Sequence, residues 1–195
     1  YMLHKIRQLL PQEDTKLDGA VQVDCGYVGG YLRWTNGFHN PRNYLRNKVA
    51  LLGLATKDRY VVRVIEEGNW NAINPILHRY IDKDNIIFTD QGGEFKKINK
   101  EFGCQHYTVC HEDKQWKHPI TGASTSKVEG TWSRVKKEMK GVHHKLPISR
   151  AQFYLDAFVY RYNTLGMSKE QRAADFFSKI FKVVTYEDID RQTNS

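Results

Sequence analysis

The chain has 195 residues, 40% of them hydrophobic and 27% charged, ordinary values for one globular domain with room for a real core. Net charge is +8 and the pI is near 9.3, which favours a polyanionic partner, nucleic acid before membrane, without identifying one. No stretch approaches the roughly 18 unbroken apolar residues of a membrane span, and the three cysteines, Cys25, Cys104 and Cys110, form no disulfide framework, so a reducing compartment is expected.

Residues 1–18 read as a helical and linker segment, and their opening, "YMLHKIRQLLPQED", has neither the apolar centre nor the cleavage site of a secretory leader. "GAVQVDCGYVGGYLRW" (19–34) begins as an alternating strand with Val21 and Val23 on one face. "TNGFHNPRNYLRNK" (35–48) is polar and rich in turn residues, an expected exposed loop with Arg33, Arg42, Arg46 and Lys48 on or beside it. "KVALLGLATKD" and "RYVVRVIEEGN" are two strands separated by Lys57, Asp58 and Arg59, most simply a hairpin. Trp70, Ile73, Ile76, Leu77 and Ile81 then recur at helical spacing, with Pro75 expected near the first turn, where proline is tolerated.

"DNIIFTD" is a short apolar strand, "GEFKKINKEFG" a brief helix stopped by Gly103, and "CQHYTVCH" an alternating strand. After the loop "EDKQWKHPITGAS", helices are expected over 125–141, 149–164 and 168–182. Strands mixed with helices and then covered by a helical layer imply an α/β fold around a central mixed sheet.

Three acids stand out. Asp24 lies inside the first strand, where an unpaired buried charge is costly, unless it faces solvent opposite the core. Asp90 ends the apolar strand in "FTDQGGEF", where ligands collect in open α/β sheets and where a cap or turn aspartate is equally at home. Glu129, Trp132, Ser133 and Lys136 fall at i, i+3, i+4 and i+7, one helical face, so docking through Val128, Trp132 and Val135 would aim Glu129 at the sheet rather than at water. Together the three supply hard oxygen ligands suited to Mg²⁺ or Mn²⁺.

These residues resemble a family. "VQVDCGYVGG", "NIIFTDQGGEF" and "VCHEDKQWKHPITGASTSKVEGTWSRVKKEMKG" are similar, in this order, to the three acid-bearing segments of DDE transposases of the Merlin and related bacterial insertion-sequence (ISXO2-like) group. "YLDAFVYRYN" (154–163) resembles that group's closing helix. The resemblance spans about 19–165, most of the chain, and implies an RNase H-like fold with a five-stranded mixed sheet, a catalytic domain over 19–165, and a C-terminal helix and tail over 166–195. It implies divalent-metal phosphoryl transfer on DNA, with water cleaving a transposon end and the freed 3′-hydroxyl attacking target DNA. Carried over by position, Asp24, Asp90 and Glu129 would bind two Mg²⁺ or Mn²⁺ ions, and Lys136 would contact phosphate or steady the transition state. The partners implied are DNA, as transposon ends and as target, with a homodimer left open and no membrane. The location would be nuclear in a eukaryotic host and cytoplasmic in a bacterial one, not secreted.

The departures are specific. Cys25 stands where the group has a glutamate beside the first aspartate, Ser124, Thr125 and Ser126 replace a His-Thr-Asn or His-Thr-Gln run, and Glu112 follows the matching His111. A working divergent enzyme and an inactive domesticated descendant acting as a nucleic-acid-binding scaffold both fit, and a plain nuclease shares the acids. His111 is a candidate neighbour of the site; a zinc site from Cys104, His106, Cys110 and His111 is disfavoured by strand alternation, which turns His111 away from the rest. Arg134, Lys137, Lys140 and Lys145, beside Glu129, suit phosphate binding by charge without sequence preference, and Arg33, Arg42 and Arg46 could grip the same duplex.

Overall fold

The computed structural model describes residues 2–29, 48–109, 125–139, 141 and 148–181. Its elements are α1 (Met2–Gln8), β1 (Ala20–Val28), β2 (Val49–Ala55), β3 (Tyr60–Ile65), α2 (Trp70–Tyr80), β4 (Ile86–Asp90), α3 (Ile98–Phe102), β5 (Gln105–Val109), α4 (Ser126–Glu138), α5 (Ala151–Asn163) and α6 (Lys169–Phe181). The order of strands and helices is the one the hydrophobic periods predict. Among the described residues no helix is long and apolar enough to cross a membrane.

The five strands form one mixed sheet in the order β3-β2-β1-β4-β5. β1, β2 and β3 run antiparallel, and the β2–β3 turn is closed by Thr56, whose N–H donates to the Arg59 carbonyl at 2.8 Å. β4 is parallel to both β1 and β5; parallel neighbours need a crossover, which α2 and α3 help to supply. Every residue of β2, "VALLGLA", is buried, because helices cover both faces of the sheet.

Each face has its own core. Val21, Val23, Leu52, Leu54 and Ile87 pack with Ile73 and Leu77 of α2 and Ile98 of α3 on one side. Val28, Leu51 and Val62 pack with Val128, Trp132 and Val135 of α4 and Leu155 and Phe158 of α5 on the other. Asn69 caps α2, its Oδ1 accepting from the Ala72 N–H at 3.0 Å. Pro75 is the sixth residue of α2, a turn deeper than its sequence position suggests. It is exposed, so the Asn71 carbonyl that loses its i+4 partner faces the solvent side.

The outer edge of β3 is sealed by side-chain amides. Asn163 accepts from the Tyr60 N–H at 2.8 Å and donates to its carbonyl at 2.9 Å. Gln12 does the same for Val62, at 2.8 and 2.7 Å. Gln152 accepts from the Val64 N–H at 2.8 Å. An edge strand whose polar groups are matched this way offers no template for another chain.

Candidate active site

Strand alternation puts Gln22, Asp24 and Gly26 on one face of β1 and Val21 and Val23 on the other. The first face is not open to solvent: α4 lies across it. β1 pairs with β4 as far as Gln22 beside Phe88. Two residues further along each strand are Asp24, in the middle of β1, and Asp90, the last residue of β4. Continuing the register brings both acids to the same face beside the C-terminal end of β4, where ligands gather in α/β sheets.

Gln22 sets the start of α4. Its Oε1 accepts from the backbone N–H groups of Lys127 at 2.9 Å and Val128 at 3.1 Å, a capping role played by a strand residue. Thr125, the residue before the helix, makes no side-chain cap; its hydroxyl instead donates to Glu129 Oε1 at 2.5 Å. One turn further on, the Trp132 indole N–H donates to Asp24 Oδ2 at 2.6 Å. The ring lies on two glycines: a Cβ on Gly26 would meet Trp132 Cδ2 at 2.7 Å, and one on Gly53 would meet Cη2 at 2.7 Å. Gly53 is the β2 partner of Asp24, so the indole spans two strands and reaches the carboxylate beside it.

Asp90 accepts from the Gly92 N–H at 3.0 Å, the local turn bond expected of aspartate. Glu94 joins it: a Cβ on Gly92 would meet Glu94 Oε2 at 2.8 Å and Asp90 Oδ1 at 2.9 Å, so the two carboxylates flank this glycine.

Burial, then the charges of Asp90 and Glu129, push the Asp24 carboxyl from 3.8 up to about 6, against the lowering effect of the Trp132 and Cys25 N–H groups. Burial is the larger cause, and the two like charges add to it from β4 and α4. Cys25, on the opposite face of β1, packs against the α2-side core. Burial and the charges of Glu94, Asp24 and Asp90 push its thiol well above the usual range, so it is a neutral packing group and no substitute for a carboxylate. Among the described residues no three His, Cys, Asp or Glu side chains are drawn closely enough to hold one metal ion.

Of the basic candidates, Arg134, Lys136 and Lys137 fall among the described residues. Lys136 and Lys137 are exposed, and Lys136 is about 10 Å along the helix from Glu129 by the rise per residue. The face expected to carry Glu129, Trp132, Ser133 and Lys136 therefore divides: Trp132 is buried, while Ser133 and Lys136 are exposed. Arg134 sits over the Tyr162 ring at 5.3 Å, which ties its charge to α5. Arg33, Arg42, Arg46, His111, Lys140 and Lys145 lie outside the described residues, as does Cys110. Of the zinc candidates, Cys104 is in the core and His106 bonds Thr89 Oγ1 at 2.8 Å.

Sequence reasoning missed Gln22, Glu94 and the bond from Trp132. Two signals were available: Gln22 is two residues before Asp24 on an alternating strand, and a buried tryptophan needs an acceptor for its N–H.

The order of the mixed sheet, the strand-borne acid at its centre and the helix crossing it define an RNase H-like transposase fold. The chain belongs to the ISXO2-like transposase domain family, whose model matches residues 16–163. No curated protein matches it.

Proposed function

We propose that this chain is the catalytic domain of a DNA transposase that hydrolyses phosphodiester bonds and transfers strands with a divalent metal, using Asp24, Asp90 and Glu129. The observation that carries this reading is that α4 crosses the Asp24 face of β1, with Trp132 bonded to Asp24 and the Asp24 carboxyl raised first by burial and then by the charges of Asp90 and Glu129, so acids from two strands and a helix lie within electrostatic reach of one another. Carboxylate oxygens suit Mg²⁺ or Mn²⁺ by their chemistry, and a cation bound among them would offset the part of the Asp24 rise that comes from Asp90 and Glu129. Two such ions would clamp the attacking and leaving oxygens of an in-line displacement at phosphorus. Thr125 orients the Glu129 carboxylate, and the Gly92 N–H orients that of Asp90. The exposed Lys136 and Lys137 supply charge for a phosphate backbone passing along α4.

The test is nicking of supercoiled plasmid DNA in Mn²⁺. Asp90→Ala abolishes nicking, with a loss of roughly a thousandfold or more given the several kcal/mol a metal contributes, and leaves DNA retention in gel shifts intact. Loss of both would point instead to a folding defect. A second reading, a descendant that binds DNA without cutting it, draws on the spacing of the acids, which are not gathered about one point among the described residues. Wild-type protein that retains DNA yet never nicks it in either metal would favour that scaffold. Nicking without joining of pre-cut ends would favour a plain nuclease.

A further inference from the structure

Trp132 is six per cent exposed, and its surroundings are more specific than a core tryptophan requires. A ring that only filled space would need any apolar floor. This one rests on the paired strands β1 and β2 at the two positions, Gly26 and Gly53, where any side chain would collide with it. The missing side chains let the ring sit closer to the sheet than any other floor would allow. At that depth its single polar atom meets Asp24 Oδ2 at 2.6 Å, a short bond of the charge-assisted kind. Gln22, one position earlier on the same face, fixes the start of the same helix through two backbone bonds. One strand thus sets both the axial position of α4 and the acceptor of its tryptophan.

We infer that Trp132 is a positioning residue for the acidic centre: its indole N–H holds one oxygen of Asp24 in a single orientation, and the Gly26–Gly53 floor sets the depth from which it does so. This rests on the reading of Asp24 as a metal ligand. The indole engages only Oδ2 of Asp24, and it spares the carboxylate the rotational freedom it would otherwise lose when a cation binds. Groups that hold a ligand by hydrogen bonds contribute in this way to metal affinity.

The experiment is Mn²⁺ titration of the chain followed by electron paramagnetic resonance, with thermal unfolding as the check on folding. Trp132→Phe keeps the aromatic packing and removes only the donor; its Mn²⁺ affinity should fall by about 10- to 100-fold. Gly53→Ala, which pushes the ring off its floor without touching a polar group, should weaken binding in the same direction. Asp24→Asn separates the two levels of the argument. If that variant binds Mn²⁺ as the wild type does, Asp24 is not a ligand, and this inference fails along with the metal reading. If Asp24→Asn loses the ion while a folded Trp132→Phe binds it normally, the metal reading stands and the positioning role is overturned. Should both ring-directed variants fail to fold, the wild type still decides through ¹⁵N-indole spectra. The Trp132 signal should lie downfield of the three other tryptophans, move in Asp24→Asn, and broaden selectively with Mn²⁺; a signal indifferent to both overturns the inference.

Discussion

Asp14 and Asp24 are ten residues apart in sequence and opposite in circumstance. Asp14 is met by donors: the Tyr80 hydroxyl at 2.6 Å, the Arg63 guanidinium at 2.5 Å and Arg79 at 3.5 Å. These neighbours, the Tyr80 hydrogen bond foremost, hold its carboxyl below the ordinary value. Asp24 has a tryptophan and a backbone donor, and beyond them the charges of two more acids. The first arrangement ties the segment before β1 to β3 and α2, and so serves the fold. The second works against the fold, which is the usual mark of a group kept for chemistry.

The comparison breaks most visibly at Arg63. Its side chain is 16% exposed and bonds the Tyr80 hydroxyl, Asp14 and the Gln12 carbonyl. Removing it leaves those acceptors short of a charged donor, so Arg63→Ala should lower unfolding stability by about 2–3 kcal/mol in urea titrations at pH 7. A loss under about 0.5 kcal/mol would mean that the donors around Asp14 do not hold the fold.

Asp24 should respond with the opposite sign. Its native carboxyl titrates at about 6 against 3.8 as the ordinary value. Between those values the native state binds the proton more tightly than the unfolded chain, so stability falls as pH rises through that window. The stabilising contribution is fully present below about pH 4 and is lost above about pH 6. Asp24→Asn retains an acceptor for the Trp132 N–H and removes the charge. The variant should therefore be more stable than wild type by about 1–2 kcal/mol at pH 7 and by little at pH 4. Thermal unfolding at both pH values checks it, and a variant less stable at pH 7 would contradict the account of crowded charge.

Much of the fold was legible because its signals are local. β2 and β4 are apolar runs bounded by turn residues, α2 repeats its apolar residues at helical spacing, and Gly103 takes the left-handed φ of 61° that ends α3. What was hidden depends on pairs distant in sequence. The face of β1 that carries Asp24 reads as outward until α4, more than a hundred residues later, is laid across it. The edge of β3 is sealed by Gln12, Gln152 and Asn163, from segments on either side of the strand in sequence and up to 103 residues from their partners. No periodicity in β3 announces them. The three acids could be found one by one, whereas Asp24 and Asp90 are set side by side by the register of β1 against β4, and Glu129 is carried to β1 by the bonds of α4 to Gln22 and Asp24, which are tertiary facts.

A third charged contact calibrates the other two. Glu101 and His78 meet at 3.0 Å, with their side chains 40% and 51% exposed. Water screens both partners, and fixing two mobile side chains costs entropy that the attraction barely offsets. Glu101→Ala should therefore change stability by less than about 0.5 kcal/mol between pH 5 and 8, measured in the same urea titrations. A loss above about 1 kcal/mol would show that even a solvated ion pair on this scaffold carries substantial energy. The contrast between Asp14 and Asp24 could then no longer be assigned to burial and to the identity of their neighbours. A null result at Glu101, beside a loss at Arg63 and a gain at Asp24, would leave burial and the sign of the neighbouring charge as the variables that separate the carboxylate that holds the fold from the one that strains it.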